Sequence, residues 1–138
     1  MTLQSRSTCL SADVSAAYDP TYASAYEAKN SCYINEGVVI SKYTGHGGKY
    51  DTSDASAEYM GKVRALLEKN NVMWQVGELG KVDMGGGGTI AKYVANMNVD
   101  VVDLGVPVLC MHAPFEIVSK IDVYMAYRAF FAFFDDKI

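Results

Sequence analysis

The sequence predicts an α/β fold, a sheet flanked by helices. Two observations predict it. Short apolar runs rich in valine, isoleucine and leucine alternate with longer segments whose apolar residues recur at helical spacing. Turn chemistry separates the two kinds of segment, at Asp19-Pro20, Gly45 to Gly48, Asn70-Asn71 and Gly85 to Gly88. A length of 138 residues, 50% hydrophobic and 20% charged, suits one domain with a modest core. No internal repeat or low-complexity linker divides the chain.

The elements follow in order. Met1 to Ser7 is polar and reads as an N-terminal extension (1–7) ahead of a domain at 8–138. Thr8 to Val14 is short and apolar and reads as a strand ending near Asp13. Ala16 to Tyr33 mixes turn residues with alanine and tyrosine and reads as a loop with a little helix. Val38 to Tyr43 reads as a strand, and Thr44 to Asp51 as a glycine loop. Ser53 or Asp54 can cap a helix running to about Asn70, with Ala57, Met60, Val63 and Leu67 on one face. Val72 to Val76 reads as a strand. Gly85 to Gly88 opens a second helix, Thr89 to Met97. Val99 to Val102 and Val108 to Met111 read as strands. Pro114 suits the first turn of a last helix reaching about Phe134, with Ile117, Val118, Ile121 and Met125 on one face.

Composition excludes some functions. The net charge is −4 and the pI near 5.0, with no basic face to neutralise phosphates, so nucleic acid is not the expected partner. No apolar stretch approaches the ~20 residues of a membrane span, and no secretory signal is visible at the start. Cys9, Cys32 and Cys110 form no CxxC pair, and their number is odd. That argues against a disulfide framework and for a reducing, cytoplasmic setting.

Four groups of residues invite chemistry. His112 follows an apolar strand, where a rigid imidazole serves as a metal ligand or base, or as a hydrogen-bonded cap. Asp13 ends another strand in apolar surroundings. Its carboxylate must be paired, bonded to backbone N–H groups or bound to metal. Gly85 to Gly88 with Thr89 lets backbone approach a ligand and offers helix N–H groups to an anion, or is a flexible turn; it matches neither a Walker A loop nor GxGxxG. Glu78 and Asp83 flank this run, as functional acids or solvated charges. His46 and Lys49 share a loop and read as solvated, with a substrate carboxylate as the other partner for Lys49. One His and one Asp are too few for a catalytic zinc, which takes three protein ligands and water.

Several segments together resemble the M18 metallo-aminopeptidases, especially their bacterial branch. They are Ser11-Ala12-Asp13-Val14-Ser15-Ala16-Ala17 with Asp19-Pro20; Gly37-Val38-Val39-Ile40 with Lys42-Tyr43; Ser53-Asp54-Ala55-Ser56-Ala57-Glu58; Gly77-Glu78-Leu79-Gly80-Lys81-Val82-Asp83 with Gly86-Gly87-Gly88-Thr89-Ile90-Ala91; and Val102-Asp103-Leu104-Gly105-Val106 through Met111-His112-Ala113-Pro114-Phe115-Glu116. Their order and spacing fit from about Thr8 onward. The resemblance implies the C-terminal part of a zinc exopeptidase (phosphorylase/hydrolase-like) catalytic domain. It implies two zinc ions about one activated water, with Asp13 on one zinc and His112 on the other. It places Gly87, Gly88 and Thr89 in the lining of a peptide-substrate pocket.

In that family another zinc-binding histidine, the bridging aspartate and adjacent glutamates lie before the S-A-D segment. The twelve residues before Asp13 hold no His, Asp or Glu. The expectation is therefore a fragment with one ligand per zinc and no catalytic residue of its own, inactive in isolation. The alternative function is a non-catalytic module that associates with a full-length M18 subunit. Unmatched sheet edges and apolar helix faces predict self-association into a homo-oligomer.

Overall fold

The computed structural model describes residues 3–47, 49–81 and 83–136. Gly48 of the predicted glycine loop, Val82 of the segment before the glycine run, and residues 1, 2, 137 and 138 lie outside them. The fold is α/β, as predicted. One sheet has the order β1 (Thr8–Ser11), β5 (Asp100–Gly105), β3 (Val38–Ser41), β4 (Trp74–Val76). β1 runs parallel to β5 and β3 parallel to β4, while β3 and β5 are antiparallel. A second sheet has the order β2 (Ser15–Ala16), β6 (Pro107–Leu109), β7 (Ile117–Val118).

β3 is buried at every position, which matches its unbroken apolar run. Val38 and Ile40 face a core shared with helix α1 (Ala57–Lys69) and helix α3 (Lys120–Asp135). Val39 faces the opposite side, against Ala17 and Cys32. In α1, Tyr59, Val63, Leu66 and Leu67 are buried. Burying Val63 or Leu67 contributes about 1.5–3 kcal/mol each.

Several boundaries differ from the sequence expectation, each for a physical reason. The α1 cap is Ser56, whose hydroxyl accepts from the Tyr59 N–H at 3.2 Å. Asp54 is already engaged by Lys42 and Lys49, and Ala55 N–H donates to Lys42 O, so residues 53–55 stay extended beside the exit of β3. Consequently Ala57 is exposed and Tyr59 and Leu66 join the inner face. β5 does not stop at Val102 but continues through Asp103 to Gly105, burying a carboxylate. Helix α2 is only Ala91–Ala95.

The last helix does not begin at Pro114. Residues 110–116 form a loop, and Ile117 and Val118 pair with Leu109 and Val108 as an exposed strand. Ser119 then caps α3. Of the predicted stripe of Ile117, Val118, Ile121 and Met125, only Met125 packs against the core. The buried face is Asp122, Ala126, Ala129 and Ala132.

Candidate metal and substrate site

Beyond β1 the chain turns sharply, with Asp13 N–H donating to Ser11 O at 3.0 Å. The Asp13 carbonyl rests on Gly105, where an added Cβ would lie 1.4 Å from its oxygen. Position 105 therefore requires glycine for this loop to seat. The Asp13 carboxylate is exposed. Its Oδ1 accepts from Val14 N–H at 2.8 Å, a partial answer to the backbone-capping reading, and no hydrogen bond to Oδ2 occurs among the described residues. His112 is also exposed, in the loop between β6 and β7. Its φ of +67° and that of Cys110, +59°, lie in the left-handed region, costly for residues with side chains. Glu116 Oε1 accepts from its backbone N–H at 2.5 Å, while no bond to its ring occurs among the described residues.

Asp13 lies in the loop before β2 and His112 in the loop after β6, strands that pair in parallel, and no hydrogen bond joins the two residues among the described residues. Among the described residues no three His, Cys, Asp or Glu side chains gather closely enough to hold a metal.

Beneath the Asp13 turn lies a buried polar cluster. Ser15 and Ser41 hydroxyls are 3.3 Å apart, and Ser41 Oγ donates to Gly77 O at 2.9 Å. Thr89 Oγ1 donates to Asp103 Oδ2 at 2.9 Å and lies 3.2 Å from Thr44 Oγ1. Among the described residues, Asp103 Oδ1 and Ser11 Oγ are buried with no partner in hydrogen-bonding geometry, although Ser11 faces Asp103 across the β1–β5 pair and its hydroxyl is near enough to act on the carboxylate. Burial raises the Asp103 pKa, and repulsion from Asp13 adds to the rise. The Ser11 and Thr89 hydroxyls offset part of it.

The glycine run divides in two. A Cβ on Gly85 would lie 2.7 Å from Lys81 N, and one on Gly86, at φ +110°, only 1.7 Å from Gly45 O. These two are required by packing. Gly87 would meet only Leu79 Cδ1 at 3.9 Å, and Gly88 nothing within 4 Å. The second half borders open space, while Thr89 is fixed by Asp103. At the following helix, the alternative place for an anion, α2 is short and the Thr89 hydroxyl accepts the Ala91 N–H.

Of the flanking acids, Asp83 is exposed and Glu78 is half-buried. Burial pushes the Glu78 pKa up to about 7, partly countered by Lys49. Lys49 is paired with Asp54 at 2.9 Å, and His46 stays exposed, bridged to Tyr50. Sequence reasoning missed Asp103, Thr44 and Ser41 as parts of the cluster. The available signal was a carboxylate inside the apolar run Val101-Val102-Asp103-Leu104.

Comparison with known proteins bears on this geometry. The sequence model of the family described as Aminopeptidase I zinc metalloprotease (M18) matches residues 1–134. The chain is 50% identical over 127 residues to a probable M18 family aminopeptidase 1 of Borrelia garinii, covering 92% of this chain and 28% of that protein. It is 48% identical over 131 residues to a counterpart of Thermotoga neapolitana, covering 95% of this chain and 29% of that one. Its fold superposes on aminopeptidase I from Clostridium acetobutylicum with a TM-score of 0.89 at 49% identity, over 94% of this chain and 28% of the other. The M18 aminopeptidase of Thermotoga maritima gives 0.90 at 46%, over 94% and 29%. The chain thus spans less than a third of the length of these relatives. With the family matched along nearly all of it, the chain belongs to the M18 aminopeptidases, the Aminopeptidase I zinc metalloprotease family.

Proposed function

We propose that this chain is part of a zinc-dependent aminopeptidase, an enzyme that removes N-terminal residues from peptides. The family match over residues 1–134 carries the reading, because it spans both candidate ligands and the glycine run. The donors have suitable chemistry: an exposed carboxylate with Oδ2 unengaged, and an exposed imidazole, are both zinc-type ligands. Their number does not complete a site, so the remaining ligands come from outside these residues. In this reading Asp13 holds one zinc and His112 the other. When bound, zinc supplies Lewis acidity toward the peptide carbonyl and an activated water.

The chain's own residues position the parts. Gly105 seats the Asp13 turn, and Asp103 and Thr44 fix Thr89 at the edge of the substrate pocket. Gly87 and Gly88 leave room for a peptide backbone. No residue here is assigned as the catalytic base. The compartment is the reducing cytoplasm, in keeping with three free cysteines, and the enzyme is a homo-oligomer. Support for self-association comes from the exposed aromatic face of α3.

Two measurements test this. Zinc binding to the purified chain, by competition with a chromophoric chelator, is expected to weaken by about tenfold or more in both Asp13→Ala and His112→Ala. Zinc affinity unchanged by either substitution sinks the ligand assignment. An aminopeptidase assay with added zinc is expected to show no useful turnover. Turnover abolished by His112→Ala would show that the chain is a complete catalyst.

A further inference from the structure

A small cavity lies beside the glycine run. Tyr43, Thr44 and Gly45 follow β3, Glu78 to Lys81 follow β4, and these two loops line it with Asp83, Gly85 and Gly86. β3 and β4 run parallel, so their exits share one edge of the sheet, a recurrent place for ligands in α/β folds. The wall is fixed rather than floppy. Gly86 sits directly on Gly45 O, Glu78 N–H donates to Asn30 O at 2.7 Å, and Ser41 holds the Gly77 carbonyl. The cavity volume is about 20 Å³. That is slightly more than one water requires. It is open to solvent on one side and admits a small cationic head.

Glu78 is the half-buried charge of this wall. Its carboxylate makes no hydrogen bond or ion pair among the described residues. The charged neighbours are otherwise engaged or outside. Lys42 and Lys49 are both tied to Asp54, and Lys81 and Asp83 are exposed. Burial holds the Glu78 pKa near 7, so the carboxylate ionises at a cost that Lys49 and Lys42, from a distance, offset only in part. A fold that keeps an acid in this condition beside a substrate loop leaves its counter-charge to a ligand.

We propose that this cavity is a subsite for a cationic group, the head of a basic side chain on a bound peptide, with the Glu78 carboxylate as its counter-charge. The identification of the ligand as a peptide side chain rests on the aminopeptidase reading above.

The test is titration of the whole chain with lysinamide slightly above pH 7, following the Glu78 side-chain carboxyl by NMR. A saturable shift is expected, lost in Glu78→Gln. Leucinamide, which lacks the side-chain cation, is expected to bind at least about tenfold more weakly, because nothing on it meets the Glu78 carboxylate. On the unaltered chain, binding is expected to weaken as pH falls through about 7 and Glu78 takes up a proton. No shift with lysinamide, equal binding of leucinamide, or binding indifferent to pH overturns the subsite, whether or not Glu78→Gln folds. Zinc is not needed in any arm. Lysinamide binding by a chain without zinc affinity would leave the cation site standing and remove the aminopeptidase reading; zinc affinity without lysinamide binding would remove the subsite alone.

Discussion

Helices α1 and α3 pack on the same face of the four-stranded sheet, in opposite ways. α1 turns large residues inward, with Tyr59, Val63, Leu66 and Leu67 buried against β3 and β5. α3 turns small ones inward, Ala126, Ala129 and Ala132. It leaves Tyr124, Tyr127, Phe131 and Phe134 outside, each between 56% and 83% exposed. The first helix is held by apolar burial. The second packs alanines, with partly buried Met125, Phe130 and Phe133, against the core and adds polar clamps. Fully buried Asp122 accepts the N–H groups of Asn35 and Gly37 at 2.8 Å each, and Arg128 donates to the carbonyls of Asn70 and Asn71 at the end of α1.

That contrast assigns the largest effect to α1. Leu67 is wholly buried in the main core, so Leu67→Ala is expected to cost about 2–5 kcal/mol, read from urea unfolding. A loss within surface range, about 0.5 kcal/mol, would mean that α1 is not packed as described.

The same contrast explains what the sequence revealed. The α1 face was legible because Val63 and Leu67 stand one turn apart and are apolar, which is the pattern of burial. The α3 face was not, because its outward residues are more apolar than its inward ones. Periodicity selects aromatics, whereas the close approach of α3 selects alanine. The strand β7 hid inside the expected helix for a related reason: two β-branched residues carry too little pattern to separate strand from helix. At the site, Asp13 and the glycine run stood out by residue type and neighbourhood. Asp103 did not, since an acid in an apolar run reads as a strand end until pairing with β1 and β3 shows it inside. That Gly85 and Gly86 are structural while Gly87 and Gly88 are open could not be read from four identical letters.

An intermediate effect is expected at the clamp. Asp122→Ala removes both acceptors and strands the buried Gly37 N–H, at a cost of about 1–3 kcal/mol. Gly37 has little room to compensate, since it sits at φ +89° and even an added Cβ would lie 2.2 Å from Met73 O. Asp122→Asn keeps one acceptor oxygen and should recover part of the loss. Equal stability of the alanine and asparagine variants would show that the carboxylate is not the clamp, and the account of α3 would have to return to apolar packing.

The smallest change in stability is expected on the outer face of α3, and it is the most informative about assembly. Tyr124, Tyr127 and Phe131 form a continuous stripe, with successive ring centroids 6.2 Å apart. Tyr124, Tyr127 and Phe131, with Arg128 and Asn70, also border a shallow depression in the surface. Phe131 is exposed, so Phe131→Ser should leave the unfolding free energy within about 0.5 kcal/mol. It should nevertheless reduce self-association measured by light scattering at matched concentration, because exposed aromatic area is the attraction proposed between copies. Losing stability without changing the mass distribution would place Phe131 in the chain's own core and contradict the division of α3 into two faces. A monodisperse monomer for both forms would leave the helix description intact and remove this stripe as the contact between subunits.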